Sequence, residues 1–182
     1  GQGEALHVRG LGGDLRLTDI FGQAALTARL DLAALERGDL RLAARASARG
    51  PLQGPLDLDL ESSGGVVSHL NAQWQPGRVL LKGLELHVKG LKGASGGRGR
   101  SLGLRAARQA EVRYGEAGLS VSGLDLVMSP SGRLQAQGAL APDKLDLRVM
   151  LDGLALEPWR ALAPTLPLGT AEARVRLSGN PA

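Results

Sequence analysis

The sequence lacks cysteine and has very few aromatic residues. The absence of cysteine excludes disulfide cross-links and thiolate metal sites, and it leaves the compartment open, because many envelope proteins also lack this residue. Aromatic residues make up 2% of the 182 residues, with two Trp, one Tyr and one Phe. Leucine, alanine and valine must therefore supply the apolar surface.

The sequence also lacks a long apolar run. None approaches the roughly 18 residues that a membrane-spanning helix needs, and no signal peptide opens the chain. The sequence begins Gly-Gln-Gly without Met and stops at "RLSGNPA", directly after a predicted strand. We expect it to be a fragment of a longer protein whose anchor, if it has one, lies outside this sequence.

What the sequence does have is strict alternation of apolar and polar residues, which is typical of antiparallel strands with one wet and one dry face. The 27 Gly and 9 Pro suit short strands and turns. Only 33–37 and 158–162 look helical, for one turn each. The alternating runs are 26–32, 40–48, 56–60, 84–88, 145–151 and 171–177, and the turn signals are 10–14, 62–65, 75–78, 95–99, 129–132 and 141–144.

Two architectures would cover the dry face. In a closed sandwich or barrel, facing sheets fill each other's interior, usually with a few large aromatic residues. In an open, curved sheet the dry face lines a trough, which needs an occupant, because soluble proteins rarely leave large apolar patches bare. Acyl chains fit a leucine trough, since burying a ~16-carbon tail gains on the order of 10 kcal/mol. The residues alone slightly favour the closed sandwich, because it is the commoner solution.

A family resemblance shifts that balance. The stretch "LDLRVMLDGLALEPWRALAPTLPLGTAEARVRLSGNPA" (145–182) resembles the recurring unit of the TamB family, within the AsmA-like group of envelope proteins. The unit is a strand ending in Gly-Leu-x-Leu, a short helical "P-x-x-x-L-x-P" step, and a strand opened by "L-x-G-T". Residues 123–140 and 5–19 resemble other strands of these repeats, whereas 20–80 match poorly.

The resemblance implies an all-β fold, with residues 1–182 as a single TamB-like fragment. The expected fold is an elongated, curved antiparallel sheet that forms an open, taco-like trough with an apolar interior and one or two very short helices. The full-length protein would be periplasmic and anchored in the inner membrane by an N-terminal helix absent here. The implied function is to move phospholipid between the inner and outer membranes and to support outer-membrane biogenesis, with an outer-membrane barrel of the TamA/BamA type as partner.

Apolar positions of the alternating strands are the candidate contacts for phospholipid acyl chains. An alternative function is a scaffold or assembly module whose strand edges pair with nascent outer-membrane β-barrel proteins, and the same edges would allow edge-to-edge self-association. A weaker idea is a purely structural β-sandwich with a leucine-filled core. The candidate lipid-binding residues are Leu84, Leu86, Val88, Leu102, Leu104, Leu119, Val121, Leu124, Leu126, Leu145, Leu147, Val149, Leu151, Val175 and Leu177.

The sequence offers no catalytic set, so we predict neither an enzyme nor a cofactor. The three histidines, His7, His69 and His87, lie far apart, and no His/Cys/Asp cluster has the spacing of a transition-metal site. The ladder Asp57-x-Asp59-x-Glu61 shares one strand face and could be read as a Ca²⁺ site, but a solvated face is the better interpretation.

Charge is concentrated between Lys82 and Arg113, which hold eight Lys/Arg against two acids. A solvated surface or lipid headgroups explain this segment better than nucleic acid does, because only Tyr114 adjoins it as a stacking platform. The stretch "GASGGRGRS" (93–101) lacks the Lys-Ser/Thr of a phosphate loop and indicates a hairpin turn. Trp159 is predicted to pack the short helix across an end of the sheet, or alternatively to act as a lid.

Overall fold

The computed structural model describes residues 7–19, 24–37, 40–91, 100–161, 163 and 165–180. This part of the chain is almost entirely β-strand, with one short 3-10 helix after the eleventh strand. The elements are β1 (His7–Thr18), β2 (Ala25–Arg37), β3 (Leu40–Pro51), β4 (Leu56–Gly64), β5 (Val66–Gln75), β6 (Arg78–Leu91), β7 (Arg100–Ala106), β8 (Ala110–Gly115), β9 (Gly118–Ser129), β10 (Arg133–Ala141), β11 (Lys144–Ala155), the 3-10 helix (Glu157–Ala161) and β12 (Thr170–Gly179).

All twelve strands belong to one antiparallel sheet, in the order β1 to β7 and then β9 to β12. Strand β8 pairs with β6 and β9, as β7 does, so β7 and β8 occupy one strand position that is interrupted at 107–109. The described pairings leave β1 and β12 at the two edges. The predicted all-β antiparallel sheet is therefore confirmed, and the two-sheet sandwich that the residues alone favoured is wrong.

The alternation places apolar side chains on one face, because directly paired residues of an antiparallel ladder share a face. One continuous row of pairs is Leu30, Ala46, Leu60, Leu70 and Leu84, across β2 to β6. A second row crosses the other half of the sheet from β6 to β12 through Val79, Val112, Val121, Gly138, Leu147 and Leu177. We call this side of the sheet the apolar face and the opposite side the outer face.

Irregularities in neighbouring strands fall at the same level of the sheet. Lys82 is an extra residue in β6, 107–109 separate β7 from β8, and Ser122-Gly123 bulge from β9 against β10. Gly123 has φ +72°, and a Cβ there would lie 2.7 Å from the carbonyl oxygen of Gln109. Because bulges bend the strands that carry them, this bulge line gives the sheet a place to curve. Such a bend is compatible with the predicted trough.

Among the described residues, few are fully buried. The buried hydrophobic residues are Leu56, Ala72, Leu102, Ala110, Leu126 and Met128, and four of these six lie on β7 to β9. Leu102, at 1% exposure, is the most deeply buried large side chain. The 3-10 helix contacts β7, although two strands separate β7 from β11 in the sheet. The helix therefore crosses the end of the β9–β10 hairpin, as predicted for the Trp159 turn.

Two local predictions were wrong. Residues 33–37 are not a helical turn but the end of β2, where Leu35 pairs with Val8 on β1 and Leu42 on β3. Residues 10–14 are not a turn but lie inside β1. Gly10 there has φ +62°, and a Cβ would lie 2.8 Å from the Cβ of Ala33, so this glycine permits close approach within the sheet.

Candidate functional site: the apolar face

All fifteen residues predicted to contact lipid lie on the apolar face. The register pairs several of them directly, such as Leu86 with Leu104 and Val88 with Leu102. In the second half of the sheet, Leu147 and Val149 pair with Leu177 and Val175 of β12. The remaining members join through shared neighbours on β9, β10 and β11. The structure therefore brings the whole set to one surface, and its contact with lipid stays a prediction.

Exposure varies within this set: ten of the fifteen residues are half-buried, three are exposed and two are buried. Leu119, Val175 and Leu177 are about half exposed (45%, 46% and 46%), so an apolar ligand could reach them. Leu102 and Leu126 are buried, so they belong to the small core rather than to a ligand surface. A charge at Leu126 would therefore unfold the protein instead of testing ligand passage. Alternation gives the face of a residue but not how much its neighbours cover it.

One groove on the apolar face lies in β1 to β5, mostly within residues 20–80, which the family resemblance matched poorly. It has a volume of about 630 Å³ and is lined mainly by Leu15, Leu30, Leu58, Leu60 and Leu70, with alanines of β2 and β3. The short side chain of Ala46 is flanked by Leu30 on β2 and Leu60 on β4, and this creates the depression. The alternating runs 26–32 and 56–60 contain leucines that line this groove, so the pattern could have indicated it. None of the groove residues was among the fifteen predicted lipid contacts.

A second apolar groove, of about 490 Å³, lies where the β8–β9 and β10–β11 turns meet. Its lining includes Tyr114, Leu119, Leu140 and Pro142. The indole Nε1 of Trp74 donates a hydrogen bond to the Tyr114 hydroxyl, at 2.7 Å. Two of the four aromatic residues therefore meet at this end of the face, each with an apolar ring and a polar tip.

Charged residues pair with one another on the outer face. The carboxylate of Asp125, 3% exposed, accepts hydrogen bonds from Arg133 (2.7 and 2.6 Å) and Gln135 (3.2 Å), and Arg108 lies 3.8 Å away. The hydrogen bonds from Arg133 outweigh desolvation and lower the pKa of Asp125 to about 2. Arg29 and Arg45 both bind Asp31 at 2.7 Å in the same way. The pairs Arg133–Asp125 and Arg45–Asp31 join neighbouring strands and hold them in register, whereas Arg29 lies on the same strand as Asp31.

The acidic ladder does not form a cation site. Asp57 is bound by Lys82 at 2.7 Å, Asp59 accepts from Asn71 at 2.6 Å, and Glu61 lies 3.5 Å from His69. Each acid is thus paired with a different neighbour on β5 or β6. Within the described ranges, no three acidic or histidine side chains are placed to hold a metal ion.

The two acids inside the basic segment between Lys82 and Arg113 both lie next to basic residues, so the segment keeps its excess of positive charge. Arg105 lies opposite Glu85 in the register, and Arg113 pairs with Glu111, which also binds Arg78 at 2.7 Å. These partners support a solvated outer face. The glycine-rich stretch 93–101 lies mostly outside the described residues, so its prediction stays open.

Comparisons with protein-family models, with curated proteins and with solved structures find no match. Across the described segments, no helix has the length and apolar character needed to cross a membrane. The functional argument therefore depends on the apolar face itself.

Proposed function

We propose that this chain is a segment of a TamB-like conduit that carries phospholipid between the inner and outer membranes and supports outer-membrane biogenesis. The observation that carries the proposal is a single sheet whose apolar face runs across β1 to β12, with no second sheet against it among the described residues. In the proposed setting the chain is periplasmic. The full-length protein is anchored in the inner membrane by a helix outside this sequence and works with an outer-membrane barrel of the TamA/BamA type.

Exposed leucines on this face support an apolar ligand. Leu15, Leu30, Leu60, Leu140 and Leu177 are all exposed, which is unfavourable in water unless something covers them. Each CH₂ group that an acyl chain buries contributes about 0.8 kcal/mol, so a ~16-carbon tail supplies on the order of 10 kcal/mol. The ligand is held by burial alone, which is non-directional, so tails slide along the face while headgroups stay in water.

Co-purified phospholipid provides the first test. The protein is purified without detergent, extracted with organic solvent and analysed by mass spectrometry. A photo-reactive residue at Leu140, 46% exposed on the apolar face, is expected to capture an acyl chain. The same residue at Ala139, exposed on the outer face of the same strand, is the matched control. Lipid-free protein that also ignores added phospholipid vesicles would refute the conduit.

Charge substitutions test passage rather than binding. Leu140→Lys puts an ammonium group on the apolar face between Leu119 and Leu145 and is expected to slow transfer of fluorescent phospholipid between vesicles. Ala139→Lys adds the same charge on the outer face, opposite Asp146, and is expected to leave transfer unchanged. Equal transfer by both variants, with folding verified by circular dichroism, would contradict the proposal.

The open edges favour a second candidate function. Every residue of β1 is exposed, and its outer edge is available to a strand from a nascent outer-membrane barrel. A proline at Leu17, an exposed residue of β1, is expected to abolish such assembly and to spare lipid transfer. A charge at Leu140 is expected to do the reverse. This pair of variants separates a scaffold from a conduit.

A further inference from the structure

Among the described residues, strand β12 has a neighbouring strand on one side only, and one hydrogen bond fixes which of its residues face that neighbour. The amide of Leu156 donates to the carbonyl oxygen of Gly169 at 2.9 Å, so Gly169 faces β11. Antiparallel ladders alternate, so the odd-numbered residues of β12 also face β11. The even-numbered residues, from Thr170 to Ser178, therefore point their N–H and C=O groups away from the sheet. These are the residues through which another strand would pair.

The same even-numbered positions carry charges with no partner in the described chain. Glu172, Arg174 and Arg176 lie on the outer face and form no ion pair with a described residue. Their register neighbours on β11 do not neutralise them, since Arg176 is opposite Arg148 and Arg174 is opposite Met150. Like charges directly opposite one another destabilise a sheet, so this edge gains from a partner strand with a complementary pattern.

We infer that β12 of a second copy of this chain pairs antiparallel with β12, on a two-fold axis through Ala173. In this register Glu172 of each copy lies opposite Arg174 of the other, which makes two complementary pairs. Ala171 then lies opposite Val175 of the second copy, so the apolar faces of both copies lie on the same side. The neighbouring cofacial register centred on Arg174 also makes two complementary pairs, Glu172 with Arg176, but it puts Arg174 opposite Arg174. The other neighbouring register puts Glu172 opposite Glu172. The charges thus select one register.

The other edge of the sheet does not fit β12. The amide of Leu52 donates to the carbonyl oxygen of Ala24 at 2.8 Å, so even-numbered residues of β2 face β3 and odd-numbered ones face β1. Since Ala25 pairs with Thr18, the even-numbered residues of β1 face β2. The outward positions of β1 are then apolar, such as Leu15, whereas those of β12 are charged. Antiparallel pairing of β12 with β1 would oppose the two faces, so among antiparallel pairings this edge forms a closed dimer and not a fibre.

The dimer joins two apolar faces into one surface of twice the length, and it forms whether or not the face carries lipid. Exchanging the charges of Glu172 and Arg174 tests the dimer, and sedimentation velocity of the intact chain measures it. Wild-type protein is expected to reach a concentration-dependent dimer, and Arg174→Glu or Glu172→Arg is expected to raise the dissociation constant at least about tenfold. The double variant Glu172→Arg/Arg174→Glu restores both pairs and is expected to recover dimerisation. A monomeric wild type, or a double variant no better than the single ones, would overturn the inference.

Cysteine cross-linking tests the register separately, because the natural sequence has no cysteine. The backbone N–H and C=O groups of Ala173 point towards β11. Across the two-fold axis, Ala173 and Ala173 of the second copy therefore form a non-hydrogen-bonded pair with a Cα separation of about 4.5 Å, which is within disulfide range. Ala173→Cys is expected to give a covalent dimer under mild oxidation. Val175→Cys, on the same face of the same strand, lies opposite Ala171 and is expected to stay monomeric in denaturing gels. Cross-linking at Val175→Cys in preference to Ala173→Cys would refute this register.

Discussion

Asp125 and Arg133 form a bidentate ion pair between adjacent strands, with Nε–Oδ1 and Nη2–Oδ2 distances of 2.7 and 2.6 Å. The carboxylate is buried on the outer face, whereas the guanidinium is half exposed. Asp125 lies on β9 and Arg133 on β10, and they are the sequence neighbours of Leu126 and Leu134, which pair on the apolar face. The ion pair therefore fixes the alignment of the two strands at this level.

Removing Arg133 should destabilise the fold. Arg133→Met leaves a buried carboxylate with only Gln135 and the more distant Arg108 as partners, and it is expected to lower the urea midpoint of unfolding. Arg148→Met is the control, since Arg148 lies 3.9 Å from Asp146 and both are accessible. That control is expected to change stability by less than about 0.5 kcal/mol. Equal losses in urea unfolding would contradict a special role for Asp125.

The same pair makes stability depend on acid pH. The pKa of folded Asp125 is about 2, below its ordinary 3.8, so the folded state favours the charged carboxylate. Its contribution to stability is complete above about pH 4 and is lost as the pH falls through about 2. Hydrogen bonds also lower the pKa values of Asp31, Asp57 and Glu111, so the wild type alone does not isolate one group.

The variant Asp125→Asn isolates the contribution of Asp125 to this pH dependence. This variant is expected to be less stable than wild type at pH 5, and the gap in urea midpoint is expected to narrow as the pH falls towards 2, because the wild type then loses its own Asp125 charge. A gap that stays constant between pH 5 and 2 would show that Asp125 does not titrate in this range.

Alternation was enough to predict the strands and the residues that share a face. It did not determine that a single layer forms, because the strands of a closed sandwich alternate in the same way. The residues 33–37 show a second reason for error. Their sequence, Ala-Ala-Leu-Glu-Arg, consists of good helix formers, yet cross-strand pairing of Leu35 with Val8 and Leu42 overrides this local preference.

The sequence pattern does not predict how exposed each residue of the apolar face is. Leu126 and Leu119 have the same residue type and lie on the same strand, but only Leu119 is exposed. The difference arises from position across the bulge line, where β7 and β8 end and begin beside β9. No short sequence pattern encodes this, since it depends on register shifts in neighbouring strands.

The bulge line makes a prediction about Gly123. Gly123→Ala meets two penalties, a φ of +72° and a backbone oxygen 2.7 Å from the new Cβ, and is expected to cost about 2 kcal/mol or more. Gly83→Ala is the control on β6, because a Cβ there meets no atom within 4 Å. It is expected to leave stability unchanged or to raise it by about 0.5 kcal/mol. Comparable losses in thermal or urea unfolding would show that the bulge at Gly123 is not required.

Two leucines of the apolar face are expected to differ in how much stability is lost when each is replaced by alanine. Leu102→Ala removes a side chain that is only 1% exposed and leaves a cavity in its place, so it is expected to cost about 3 kcal/mol. Leu140→Ala removes a half-exposed side chain and is expected to cost less than about 1 kcal/mol. Guanidinium unfolding of both variants measures the contrast, and equal losses would mean that stability is spread evenly along the face.

The groove in β1 to β5 gives a functional prediction that the family resemblance did not supply. If tails occupy the whole apolar face, a photo-reactive residue at Leu60, which lines this groove, should capture phospholipid as efficiently as one at Leu140. The adjacent Glu61 points to the outer face, where it lies 3.5 Å from His69, and should capture none. Mass spectrometry of the cross-linked peptides measures both. Capture at Leu140 but not at Leu60 would confine the ligand to β6–β12 and show that the apolar face is not one continuous path.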